Sequence, residues 1–295
     1  MGKMKQKLVT SRQVFTSSKI EARVSDNNRN ARMKIFTPET TGGRPATCSD
    51  AEWEARCELA AIYNGLVKYR LTDQTNQWHA VRVPGEDALL THHYGWMHEE
   101  VTASNLIKVG FDRVNHNPEN GAPNPSATEI GKLFFEAEPD MNCIMHIHTK
   151  AIMGVSAQAG GVGPYSQAYL MIGGGDVLGY TDYEFECTDD FLTGLLNAGR
   201  GKKAVVEAWH GAFVFGATAG EAFFRSFYLD QACAVQLEVQ KAAACPGVEI
   251  RTIPEHEQKR HLADMSTSDW YGYEGELEWL AIRRRLNVEA PHYLT

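Results

Sequence analysis

The chain has 295 residues, 43% hydrophobic and 22% charged, with a formal net charge of −8. This is the balance of a globular protein with a substantial core, and it argues against nucleic acid or an anionic membrane surface as the main partner. No run approaches the length of a transmembrane helix, the N-terminus is polar with no apolar signal region, and the six cysteines form no C-x-x-C, so reduced thiols and a cytoplasmic location are expected.

Residues 1–48 are polar, mixed in charge and without sustained periodicity. They are expected to form a flexible or subunit-wrapping arm ahead of one domain spanning 49–295. Ser49 and Asp50 offer an N-cap, and Trp53, Cys57, Leu59, Tyr63 and Val67 follow at helical spacing, which predicts a helix ending near Tyr69. Ala80–Gly85 reads as a strand entering a turn, and Ala88–Thr91 as its partner. Residues 107–111 read as a further strand, and 112–125, rich in Asn, Pro and Gly, as a loop.

A helix is predicted over 127–138, ended by Pro139-Asp140. The stretch Asn142-Cys-Ile-Met-His-Ile-His-Thr149 then reads as a buried strand. The segment 160–175 reads as loop, 189–196 as helix, 204–209 and 213–215 as extended, and 218–244 as one long helix. Interleaved helices and strands predict an α/β or α+β protein around a multi-stranded sheet.

Side chains alternate along a strand, so His146 and His148 share one face and can reach a single metal ion at about 2.0–2.1 Å. Eleven histidines in this length make one such pair a weak signal by itself. His210 strengthens it. It stands at the end of a second buried strand and precedes Gly211, which allows a sharp turn and a close backbone approach. Three neutral imidazoles with open positions left for substrate are the pattern of a catalytic metal, not a structural one.

Pro139 to Thr149, then Trp209-His210-Gly211 about sixty residues on, resemble the class II aldolase/adducin head family. Tyr94-Gly95, the segment Glu99–Val109, and the tail with Glu278-Trp279, Arg283-Arg284-Arg285-Leu286 and Tyr293 resemble its bacterial adducin-like branch. The resemblance implies a single three-layer α/β/α domain with a central, mostly antiparallel sheet. It implies a divalent metal held by His146, His148 and His210, with Zn2+ or Mn2+ expected and Fe2+ as the alternative. It also implies a homotetramer with active sites between subunits and a small-molecule substrate.

The departures bear on chemistry. Where the family's sugar-phosphate aldolases carry a catalytic carboxylate, nineteen residues before the first metal histidine, this chain has Ala127. Glu129 is a candidate substitute. His92 and His93, which stand where relatives carry Asn-Pro, are candidate acid/base groups because imidazole titrates near neutrality. Tyr165 and Tyr271 are candidate proton donors, the latter from a neighbouring subunit's tail. Trp78, Ser126 and Tyr169 are candidate substrate-binding residues, with core packing the alternative for Trp78. The early loop Asn76-Gln77-Trp78-His79 and the single Ser126 depart from the family's phosphate grip, and Gly173-Gly174-Gly175 lacks the Lys-Ser/Thr of a P-loop.

The expected function is therefore a divalent-metal-dependent carbon–carbon lyase, acting by retro-aldol cleavage or decarboxylation. Its expected substrate is a non-phosphorylated hydroxy acid or hydroxy-carbonyl compound, with aromatic ones among the candidates. A non-haem Fe(II) oxygenase using the same histidines is the alternative, and a non-catalytic adducin-like scaffold the second alternative.

Overall fold

The computed structural model describes residues 43–267 and 274–295. The expected arm, apart from its last six residues, and Tyr271 lie outside the described residues. The elements in chain order are α1 (Asp50–Tyr69), β1 (Trp78–Arg82), β2 (Ala88–Thr91), β3 (Ile107–Gly110), α2 (Pro125–Ala137), β4 (Cys143–Ile147), α3 (Lys150–Ser156) and α4 (Gln167–Met171). They continue with β5 (Leu178–Thr181), α5 (Asp189–Gly199), β6 (Ala204–Glu207), β7 (Ala212–Gly216), α6 (Ala219–Ala243), α7 (Glu255–Thr267) and α8 (Glu276–Glu289).

The seven strands form one sheet in the order β3-β2-β1-β4-β7-β6-β5. Every pairing is antiparallel except β5 with β6. Alternation along the strands sorts side chains into two cores. Cys143, Met145, Ile147 and Val214 pack with Leu59, Ile62 and Leu66 of α1 and Phe223 of α6 on one face. Ile144, Val205, Phe213 and Phe215 pack with Ile130 and Phe134 of α2 and Leu195 of α5 on the other. The result is the expected three-layer α/β/α arrangement. None of the described helices is long and apolar enough to cross a membrane.

Local chemistry accounts for the helix starts. The Ser49 hydroxyl accepts from the Glu52 N–H at the head of α1, and Asn124 accepts from the Ser126 N–H at the head of α2, where Pro125 needs no partner for its nitrogen. Arg56 is buried on α1, where it pairs with Glu52 at 2.8 Å and donates to the carbonyls of Ala103 and Leu106. One guanidinium so ties the segment before β3 to the first helix.

Boundaries moved in a few places. The first strand covers 78–82 instead of 80–85, because Pro84 and Gly85 belong to the turn. The segment 160–175 contains the short helix α4. The strand expected to reach Trp209 stops at Glu207, and residues 208–211 make the hairpin turn into β7. The tail packs on its own chain: Trp279, Ile282, Leu286 and Tyr293 are buried in the α1–α6 core, and Ala103 and Ser104 donate to the Tyr293 and Thr295 carbonyls.

Candidate metal centre

His146 lies near the end of β4, facing the α2–α5 side with Ile144, and its ring stacks on Phe213 at 4.2 Å. His148 stands just past the strand, followed by Thr149, whose hydroxyl caps α3. His210 comes from the β6–β7 turn. Gly211 lets that turn close onto β4: a Cβ there would sit 2.3 Å from the Ile147 oxygen and 2.8 Å from the His148 ring. The ligand atoms of His146, His148 and His210 all lie within 4.8 Å of one another.

The hydrogen bonds decide which nitrogen each ring offers. The Nδ1 of His146 is 3.3 Å from the Ala212 carbonyl, that of His148 is 3.3 Å from the Asp73 carboxylate, and that of His210 is 2.8 Å from the Glu207 carboxylate. With every Nδ1 held by an oxygen, the Nε2 atoms are left for the shared point, and those of His146 and His148 lie 2.8 Å apart. A ligating histidine backed by a carboxylate or carbonyl is the arrangement that fixes its tautomer and strengthens its donation. Burial, then the neighbouring rings, holds His146 well below the ordinary imidazole range, and burial holds His148 low while Asp73 opposes it. Neutral rings are the ligating form. This donor set fits a divalent metal with open positions.

The other sequence candidates fall in different places. Ala127 is fully buried among apolar side chains that include Trp78 and Phe213. Trp78 is 1% exposed, its ring 5.3 Å from His146 and 5.9 Å from Phe213, so it packs beneath a ligand and presents no stacking face to solvent. Glu129 is taken by Arg113, with bonds of 2.6 and 2.8 Å. The Ser126 hydroxyl donates to Asn124 in the α2 cap. Tyr169 is buried in the core beside α6, and Tyr165 is half-buried in the loop before α4.

His92 and His93 are both buried. The His92 Nδ1 meets the Tyr63 hydroxyl at 2.8 Å, and its ring packs on Tyr63 and His98. The His93 ring lies edge-on to Trp96, with Nδ1 3.0 Å from the Ala122 backbone. The bonds of His92 Nδ1 and His93 Nδ1 hold the loop after β2.

Four features escaped the sequence reading. Glu207 stands three residues before His210, a spacing that could have been noticed. Asp73 is 75 residues from His148 and gave no sequence signal. Tyr183 places its ring 4.3 Å from that of His210. His79 and His98, with Nε2 atoms 3.2 Å apart, join Tyr63 and His92 in a second buried cluster.

Comparison with known proteins agrees with this architecture. Residues 57–237 match the family described as Class II Aldolase and Adducin N-terminal domain. A provisionally named class 2 aldolase protein of Pseudomonas aeruginosa is 30% identical over 252 residues, covering 84% of this chain and 95% of that protein. Human beta-adducin is 30% identical over 248 residues, covering 79% of this chain but 33% of beta-adducin. Among solved structures, an aldolase II superfamily protein from Pseudomonas syringae superposes with a TM-score of 0.75 at 26% identity, over 84% of this chain and 98% of that one. The L-fuculose 1-phosphate aldolase of Glaciozyma antarctica PI12 shares the fold, with a TM-score of 0.67 at 17% identity over 85% of this chain and 96% of that one. The chain belongs to the class II aldolase and adducin N-terminal domain family.

Proposed function

We propose that the protein is a divalent-metal-dependent carbon–carbon lyase acting on a small, non-phosphorylated hydroxy acid or hydroxy-carbonyl compound. The observation that carries this reading is three histidines from two strand ends, each with its Nδ1 tied to an oxygen and with ligand atoms within 4.8 Å of one another. A scaffold has no need of such an arrangement.

His146, His148 and His210 would hold the ion, with Zn2+ or Mn2+ the expected metals. When bound, such an ion supplies Lewis-acid assistance to an oxygen of the substrate as a carbon–carbon bond opens. The remaining work falls to the chain. Asp73 and Glu207 hold two of the rings in one tautomer and orientation. Phe213 and Trp78 wall the inner side of His146 and exclude water there. With Ala127 buried and Glu129 committed to Arg113, neither position offers a carboxylate for proton transfer. We place the Tyr183 phenol in that role, since its ring is packed against His210.

The assembly read from the sequence, a cytoplasmic homotetramer with sites between subunits, remains part of the proposal. Human beta-adducin, which matches over 33% of its length, motivates the scaffold reading. The missing carboxylate at Ala127 keeps an Fe(II) oxygenase as the second reading. Elemental analysis of protein purified without added metal separates the three. Zinc or manganese at one per subunit supports the lyase, iron supports oxygenation, and metal-free protein that gains none on incubation sinks both enzymatic readings. Light scattering tests the tetramer directly.

A further inference from the structure

Trp209 is the third residue of the four-residue turn Glu207–His210, closed by the His210 N–H donating to the Glu207 carbonyl at 3.2 Å. Its φ is +60°, in the left-handed region that turns usually fill with Gly or Asn. A bulky aromatic residue is strained there. Burial is the usual compensation for such strain, but Trp209 is 69% exposed. The chain so holds a strained indole in solvent, one residue from a proposed metal ligand. Backbone outliers of this kind concentrate at functional sites.

A second aromatic residue leaves the sheet at the neighbouring strand end for a topological reason. β5 and β6 run parallel, with Thr181 opposite Glu207, and the Ala208 N–H donates to the Thr181 carbonyl at 2.9 Å. Two residues beyond Thr181 comes Tyr183, and two beyond Glu207 comes Trp209, so both leave the sheet from neighbouring strand ends. The Tyr183 ring lies 4.3 Å from that of His210, tilted by 57°. Phe185, which follows, is 86% exposed. Exposed aromatic residues thus occupy the two strand ends that lead into the histidine centre, with Tyr183 in contact with His210 and Trp209 adjacent to it in sequence.

We propose that Trp209 and Tyr183 form an aromatic clamp that takes a planar ring of the substrate beside its metal-binding head. The substrate class is then an aryl-substituted hydroxy acid or hydroxy-carbonyl compound. Stacking on an indole face supplies the attraction, and a rigid aromatic side chain loses little freedom in providing it. The inference rests on the metal reading above and narrows its substrate class.

Two hydroxamates test it, since benzohydroxamate and acetohydroxamate share a chelating head and differ in the ring. Calorimetric titration of the full-length, zinc-loaded protein is expected to give benzohydroxamate an advantage of about tenfold, the scale of an aromatic pair with its burial. Trp209→Gly, which takes a positive φ without strain, should lose most of that advantage, leave acetohydroxamate affinity unchanged and raise the melting temperature. Equal affinities for the two probes in wild type, or an advantage that survives Trp209→Gly, overturns the clamp while leaving the metal site standing. A lower mass for Trp209→Gly in light scattering also overturns it, because the indole would then be an interface residue. If neither hydroxamate binds, the metal reading fails and the clamp fails with it.

Discussion

The Glu207 carboxylate lies 2.8 Å from His210 Nδ1, across a turn that begins at one residue and ends at the other. Glu207 is 1% exposed, and burial raises its pKa while His210 opposes that rise. A buried carboxylate with a single ring N–H partner has few uses other than orienting that ring. Glu207→Gln keeps the shape and removes the charge. It is expected to weaken zinc binding by roughly 10–100-fold, the usual cost of losing such a partner, with the fold intact. Competition with a chromophoric chelator measures this; an unchanged affinity would show that His210 is oriented by the turn alone.

The histidines themselves give a steeper test. His146→Ala, His148→Ala and His210→Ala should each abolish stoichiometric metal binding. The chain should stay folded, because its two apolar cores close without help from an ion. Circular dichroism and elemental analysis on the same samples check both halves. Stoichiometric metal in all three variants would mean the centre lies elsewhere.

The second cluster, His79, His92 and His98, bears on pH stability. Burial first, then neighbouring histidines, holds His79 and His92 well below the ordinary imidazole value, and burial pushes His98 down to about 4. The groups facing them are Tyr63 from α1, Asp73 from the loop before β1, His148 beyond β4, and His93. A depressed histidine takes up protons more readily unfolded than folded, so its stabilisation is complete above about pH 6.5 and falls as the pH drops toward 4. At pH 5.5 the unfolded chain is protonated at these positions while the folded one is not, which lowers stability by a few kcal/mol. The melting temperature of the metal-free protein should fall by several degrees, roughly 5–15 °C, between pH 7.5 and 5.5. His146 and His148, held low by the same burial, add to this slope in the metal-free protein, so His98→Asn should reduce the dependence without removing it. A flat profile across this interval would contradict the burial of these rings.

Much of this architecture was legible in the sequence because two local signals agreed. Alternation in Cys143–Ile147 marked a strand, and the capping residue Ser49 marked the start of the first helix; the caps Asn124, Thr188 and Thr218 became visible only with the fold. The triad was legible because its ligands sit on a strand end and on a turn opened by Gly211. The proton-transfer candidates were not, since titratability is a property of the residue but reach is a property of the fold. Nothing in the order His92-His93 says that one ring turns under Tyr63 and the other toward Ala122. Asp73 reaches His148 only because the loop after α1 passes over the end of β4, a contact that no local pattern encodes.

That arrangement changes what His92 is expected to do. Its Nδ1 is bonded to the Tyr63 hydroxyl, which also donates to the His79 carbonyl at 3.1 Å and accepts from the His79 N–H at 2.9 Å. The ring is therefore one support of a buried polar network that joins α1, β1 and the loop after β2. His92→Leu removes one of the three buried hydrogen bonds of the Tyr63 hydroxyl and leaves the two to His79, which costs about 0.5–1.5 kcal/mol. For a chain of this size that lowers the melting temperature by about 1–6 °C. Zinc content and acetohydroxamate affinity should stay at wild-type values, because His146, His148 and His210 take their orienting bonds from Ala212, Asp73 and Glu207. Thermal melts paired with titrations decide the matter. A variant with unchanged stability and at least tenfold weaker acetohydroxamate binding would place His92 in the reacting site after all.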